Sequence, residues 1–129
     1  MVPEELSNDL ESRMREALTL LEGQRADLRA RLMLLDKDMN GFIEASRDSN
    51  ADDEHDPEGQ TIAFERAQLA AVTDQIRDHL SEIDSALGRV TDGTYGVCDV
   101  CQQAINQERL EVRPTARACV AHGRPHNRR

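Results

Sequence analysis

The spacing of the apolar residues limits this chain's fold more than any other feature. Early in the chain they recur at Leu10, Met14, Ala17, Leu21, Leu28, Leu32, Leu35, Met39 and Phe42, with the polar Gln24 on the same line. The steps are mostly four and three residues, the spacing of a helix that buries one narrow stripe against another helix. Pro3 suits a first helical position, because its missing N–H would be unsatisfied there anyway. One helix is therefore expected from residue 3 to about residue 44. Gly23 is its weak point, costing about 1 kcal/mol against Ala. A second stripe runs through Leu69, Val72, Ile76, His79 or Leu80, Ile83, Leu87 and Val90. It predicts a helix from residue 61 to about residue 91 that stops near Asp92-Gly93, where glycine permits a left-handed cap. Two stripes of similar length, joined by a linker able to reverse the chain, predict an antiparallel hairpin. The alternative, in which each helix pairs in another chain's coiled coil, stays open.

Composition says what else the chain cannot build. Its 129 residues hold only three aromatics, Phe42, Phe64 and Tyr95, and no Trp. Without aromatic area for a thick core, a sandwich, barrel or doubly wound sheet is excluded in favour of thin helix-on-helix seams. The 16 basic and 25 acidic residues give a net charge of −9, the wrong sign for a domain that wraps DNA by neutralising phosphates. No apolar run approaches the roughly 18 residues of a membrane span. The start, Met1-Val2-Pro3-Glu4-Glu5, has no basic region ahead of an apolar stretch, so no export leader is expected and the compartment expected is the cytoplasm.

The acid is concentrated. Residues 44–58 hold seven acids (Glu44, Asp48, Asp52, Asp53, Glu54, Asp56 and Glu58) against Arg47 alone. Asp56-Pro57 is a fair N-cap and first-turn pair for the second helix. A linker over about residues 45–60 is either a solvated turn or a tip that presents carboxylates to a metal or a basic partner.

All three cysteines lie in the last third, as Cys98-x-x-Cys101 and Cys119-x-x-His122. Two residues between ligands let a tight knuckle aim both side chains at one point. Zinc takes four sulfur or nitrogen ligands in a tetrahedron, so these residues predict a closed structural Zn²⁺ site. A knob so poor in large apolar residues would draw much of its folding free energy from the metal. Arg109-Leu110-Glu111-Val112-Arg113 reads as a short strand ended by Pro114. Three alternatives stay open: a redox Cys-x-x-Cys, though its usual βαβ context is absent; His126 as fourth ligand; and free cysteines beside a plain polar His122. A closed site leaves no position for water, so the metal is not read as catalytic.

The stretch Tyr95-Gly96-Val97-Cys98-Asp99-Val100-Cys101, then Glu108-Arg109-Leu110-Glu111-Val112-Arg113-Pro114-Thr115-Ala116, then Cys119, resembles the zinc-finger signature of the DksA/TraR family. A helical hairpin ahead of the finger agrees with that family. The resemblance implies a bacterial or phage transcription regulator that binds RNA polymerase and not DNA. It implies that the hairpin enters the polymerase's secondary channel with its acidic tip toward the catalytic Mg²⁺ region, altering open-complex lifetime. Some members act with guanosine tetraphosphate. Three departures stand out. His122 takes the place of the fourth Cys. The family's Asp-x-x-Asp-x-Ala tip pattern falls on Asp53 and Asp56 with Glu58 in place of Ala, displaced by about two residues. The further helix that follows the finger in longer members is not expected.

The expected fold class is thus mostly α: a long antiparallel helical hairpin (coiled coil) over residues 1–92 with an acidic tip at about 45–60. A zinc-finger knob over 93–123 and a basic flexible tail over 124–129 follow it. The expected metal ligands are Cys98, Cys101, Cys119 and His122, and the expected partner-binding residues are Asp53 and Asp56. The leading function is a monomeric, non-enzymatic regulator that binds RNA polymerase, with no direct DNA binding and no membrane. A structural or adaptor zinc protein that dimerises through its coiled coil is the alternative. An enzyme whose tip acids hold a second Mg²⁺ is a third reading, with His55 its only candidate base.

Overall fold

The computed structural model describes residues 4–48 and 57–123. Three helices follow one another: α1 over Glu4–Asp48, α2 over Pro57–Asp92 and the short α3 over Gln107–Val112. Among the described residues there is no strand; Val97 and Ala104 form an isolated antiparallel bridge. Both long helices run further toward each other than the apolar stripes predict. The stripe marks where a helix is buried, not where it stops. Residues 45–48 contain no Gly or Pro to end α1, and α2 begins at Pro57, where a proline at the first position costs no hydrogen bond. Residues 49–56 between them lie outside the described residues.

The chain divides into two compact units. The central unit is Ala26–Leu80; the terminal unit is Met1–Arg25 with Ser81–Arg129. In the central unit the two helices are antiparallel. Asp36 pairs with Arg77 at 3.5 Å, while Met39, further along α1, shares a hollow with Ala63 and Ala67, further back on α2. Leu28, Leu32, Leu35 and Met39 are half-buried on the inner side of α1, as are Leu69, Val72 and Leu80 on α2. Thr73 and Ile76 are buried outright. His79 is exposed, so Leu80 takes the stripe position that the spacing leaves between them.

The terminal unit repeats the antiparallel pairing. Arg25 meets Asp84 at 3.3 Å, and Leu10, Met14 and Leu18 share a hollow with Val90. Here Leu21, Ile83 and Ala86 have no exposed surface. Leu10, placed on the stripe by its spacing, is instead exposed. The end of α2 is a Schellman turn: Thr94 N donates to Arg89 O at 2.9 Å and Gly93 N to Val90 O at 3.3 Å, with Gly93 at φ +82°.

The strand expected at 109–113 is an error. These residues lie in and just after α3, whose start is capped by the Asn106 side chain accepting from Glu108 N at 2.9 Å. Glu108 in the first turn favours the positive end of the helix dipole. Leu110 is the residue that α3 buries. Among the described residues no helix is long and apolar enough to cross a membrane.

Candidate metal centre

The turn after α2 leads directly into the first knuckle. Ile105 N donates to Gly96 O at 2.7 Å and Cys98 N to Gln103 O at 2.8 Å, so the chain doubles back on itself around Cys98. Gln102 makes the reversal with φ +66°, a left-handed conformation rare for a side-chain-bearing residue. Inside the turn, Val100 N and Cys101 N point at Cys98 Sγ, at 3.4 and 3.5 Å. The second knuckle closes through His122 N donating to Cys119 O at 3.0 Å. Asp99 N donates to Arg117 O at 2.9 Å and joins the two knuckles.

This folding brings Cys98, Cys101, Cys119 and His122 together, with one ligand atom of each within 4.8 Å of all the others. Cys101 Sγ lies 3.9 Å from Cys119 Sγ; His122 Nδ1 lies 3.8 Å from Cys98 Sγ and 3.1 Å from Cys119 Sγ. A tetrahedron with zinc bond lengths has edges of about 3.8 Å between sulfurs and about 3.6 Å between sulfur and nitrogen. The sulfur–sulfur spacing is close to its edge and the two sulfur–nitrogen spacings fall on either side of theirs, and all three cysteines are free. Three thiols and an imidazole that converge without forming a disulfide are the donor set of a closed structural zinc site. With four protein ligands there is no open coordination position for catalysis. Of the two histidines considered, His122 is in the cluster; His126 lies outside the described residues.

The ligands differ in how they are held. Cys98 is buried, Cys101 and Cys119 are half-buried, and His122 is exposed. The N–H of Cys101, helped by those of Cys119 and Val100, brings the Cys98 thiol down to about 6 against the opposing effect of burial. The hydrogen bond with His122 lowers Cys119 and correspondingly raises His122. At Cys101 the Gln103 N–H favours the thiolate, but burial and the sulfurs of Cys98 and Cys119 prevail and raise it.

The approach to the second knuckle has no regular secondary structure, yet most of its carbonyls have partners. Tyr95 OH donates to Pro114 O at 2.7 Å, buried. Arg89 Nη2 donates to Thr115 O at 3.3 Å, Asp99 N to Arg117 O, and Arg109 Nε to Ala118 O at 2.9 Å. Pro114, Thr115, Ala116 and Ala118 are themselves buried. Satisfying buried carbonyls is what lets an irregular segment stay in the interior. Reading the sequence for metal ligands missed Arg89, Tyr95 and Arg109 in these roles. The signal was present in the Arg-Leu-Glu-x-Arg-Pro-Thr-Ala run and in the Tyr ahead of the first Cys. The proposed tip residues, Asp53 and Asp56, lie outside the described residues, as does His55.

Comparison with known proteins covers the finger and then most of the chain. The sequence model of the prokaryotic DksA/TraR C4-type zinc finger matches residues 93–121, stopping before His122. General stress protein 16O of Bacillus subtilis is 32% identical over 111 residues, spanning 80% of this chain and 68% of that protein. The RNA polymerase-binding transcription factor DksA of Caulobacter vibrioides is 43% identical over 65 residues, 50% of this chain and 46% of that protein. Among solved structures, transcription factor DksA2 from Pseudomonas aeruginosa superposes with a TM-score of 0.73 at 27% identity, covering 86% of this chain and 80% of that one.

Proposed function

This chain belongs to the DksA/TraR family, and from that premise we propose that it regulates transcription by binding RNA polymerase. The observation that carries the reading is the likeness to the transcription factor DksA2, which extends over 86% of the chain and so includes the paired helices as well as the finger. In this reading Cys98, Cys101, Cys119 and His122 hold one structural zinc, which ties the two knuckles together. In this reading the protein is a regulator rather than an enzyme, as the likeness to transcription factors supports; a closed metal site supplies structure rather than a Lewis acid with an open position.

The paired helices enter the polymerase's secondary channel with the linker between them leading. Asp53 and Asp56 act there, near the catalytic Mg²⁺ region, and change the lifetime of the open promoter complex. A channel that passes nucleoside triphosphates and Mg²⁺ attracts an acidic segment, and salt weakens that attraction. Net charge −9 argues against a DNA-binding role. The form proposed is a monomer, a reading supported by the cover that one chain gives Leu21, Ile83 and Ala86.

The test is a promoter-opening assay with wild type, Asp53→Asn and Asp56→Asn, run beside co-purification with core RNA polymerase. The reading predicts that all three proteins co-purify at low salt and that the variants lose the effect on open-complex lifetime. Variants that keep the full effect would remove the acids from the mechanism. A wild type that forms a dimer and ignores polymerase would favour an adaptor that pairs through its helices.

A further inference from the structure

We propose that Arg109 and Gly123 form a latch that positions the second knuckle, so that Cys119 and His122 meet the metal in register. The inference rests on these residues being zinc ligands and assigns a task to two residues outside the ligand set.

Arg109 reaches both ends of the knuckle. Its Nε donates at 2.9 Å to the carbonyl of Ala118, the residue just before Cys119. The far end of its guanidinium lies over Gly123, the residue just after His122. A Cβ on Gly123 would collide with Arg109 Nη2, sit 3.3 Å from Arg109 Cζ and 3.0 Å from Cys119 O. The glycine is therefore what allows the guanidinium to lie across the knuckle. A side chain here would first push Arg109 away and then crowd the carbonyl that accepts from His122 N.

The base of the latch is itself fixed. Arg109 belongs to α3, which Asn106 caps, and Arg109 O accepts from Arg113 N at 2.7 Å. The next residue, Leu110, is buried and packs 3.5 Å from where a Cβ of Gly96 would be, at the entrance to the first knuckle. Adjacent residues of one short helix thus brace the two knuckles separately.

The second knuckle has the greater need. Cys98 is buried and has two N–H groups aimed at its sulfur, whereas Cys119 is half-buried and His122 exposed. Solvent that reaches exposed ligands also admits competing protons and chelators. A guanidinium fixed over this knuckle limits its excursions.

The experiment uses the full chain loaded with one equivalent of zinc, and in parallel with Co²⁺ as a spectroscopic substitute. Zinc transfer to the chelating dye 4-(2-pyridylazo)resorcinol is timed for wild type, Arg109→Ala, Arg109→Lys, Gly123→Ala and the double alanine variant. The expected result is zinc loss accelerated about tenfold or more in Arg109→Ala and Gly123→Ala, the size usual for groups that orient metal ligands. Lys carries the charge but lacks the Nε–H, so Arg109→Lys should not rescue. The Co²⁺ absorption bands should shift in the single variants, which general destabilisation with intact ligation would not cause. Because Gly123→Ala acts mainly by displacing Arg109, leaving only the 3.0 Å approach to Cys119 O once the guanidinium is gone, adding it to Arg109→Ala should cost less than about threefold more. Wild-type release rates in both single variants, or equal costs of Gly123→Ala in the two backgrounds, would overturn the latch. A wild type that binds no zinc would overturn the ligand assignment itself. If Arg109→Ala does not fold, Gly123→Ala and its Co²⁺ spectrum still decide the matter.

Discussion

In the central unit, Ala26–Leu80, two helices meet along a stripe, and even its leucines remain half-exposed; only Thr73 and Ile76 are buried among the described residues there. In the terminal unit the same two helices share their unit with a finger, and Leu21, Ile83 and Ala86 lose all exposure. A hollow lined by Leu10, Met14, Ala17 and Leu20 of α1 with Tyr95, Ile105 and Leu110 of the finger marks where the third layer lies against α1. The contrast teaches that a two-helix seam specified by spacing buries few residues, Thr73 and Ile76 among them, whereas the helix residues with no exposed surface at all lie in the unit that also holds the finger. That third layer buries Tyr95, Ile105 and Leu110 but has few other large apolar side chains to bury. It is held by four metal-type donors and by side chains that bond to carbonyls.

Chelation should break the contrast most severely. Structural zinc contributes about 10–16 kcal/mol to small domains of this kind, far more than any one contact. Treating the protein with a strong chelator should collapse the amide NMR dispersion of residues 95–123 while most of the ellipticity at 222 nm, which comes from α1 and α2, survives. Next in size are the seam residues. Leu21→Ala should cost about 3 kcal/mol in denaturant unfolding, and Leu32→Ala, half-buried in the central unit, about 1–2 kcal/mol. Equal costs would mean that the third layer adds nothing to the seam. Tyr95→Phe, which leaves Pro114 O without its buried donor, should cost about 1–2 kcal/mol and should be felt in the finger. The smallest effect is expected at Asp36–Arg77, an exposed pair at 3.5 Å; Arg77→Ala should change stability by about 0.5 kcal/mol or less, and less still in high salt.

Much of this was legible before the structure. The alternation of three and four residues located both helices and their inner faces, because burial against another helix imposes that period. It did not locate their ends, since Asp48 and Pro57 lie beyond the buried stripe. At Arg109-Leu110-Glu111-Val112-Arg113 the alternation of polar and apolar residues mimicked a strand. The decision for helix came from the Asn106 cap and the burial of Leu110, neither of which is a matter of period. In the site, the Cys-x-x-Cys and Cys-x-x-His spacings named the four donors. The finger motif marks Tyr95 and Arg109, but the carbonyls that Tyr95, Arg89 and Arg109 bond were not readable, because they lie 19, 26 and 9 residues away and follow no local rule.

Binding to polymerase through an acidic hairpin is decided by equilibrium titration of the zinc-loaded full chain against core RNA polymerase across a salt series. One monomer should bind each polymerase saturably, most strongly at low salt and more weakly as salt is raised. Absence of binding at low salt, or binding that is indifferent to salt, would contradict that mode of binding.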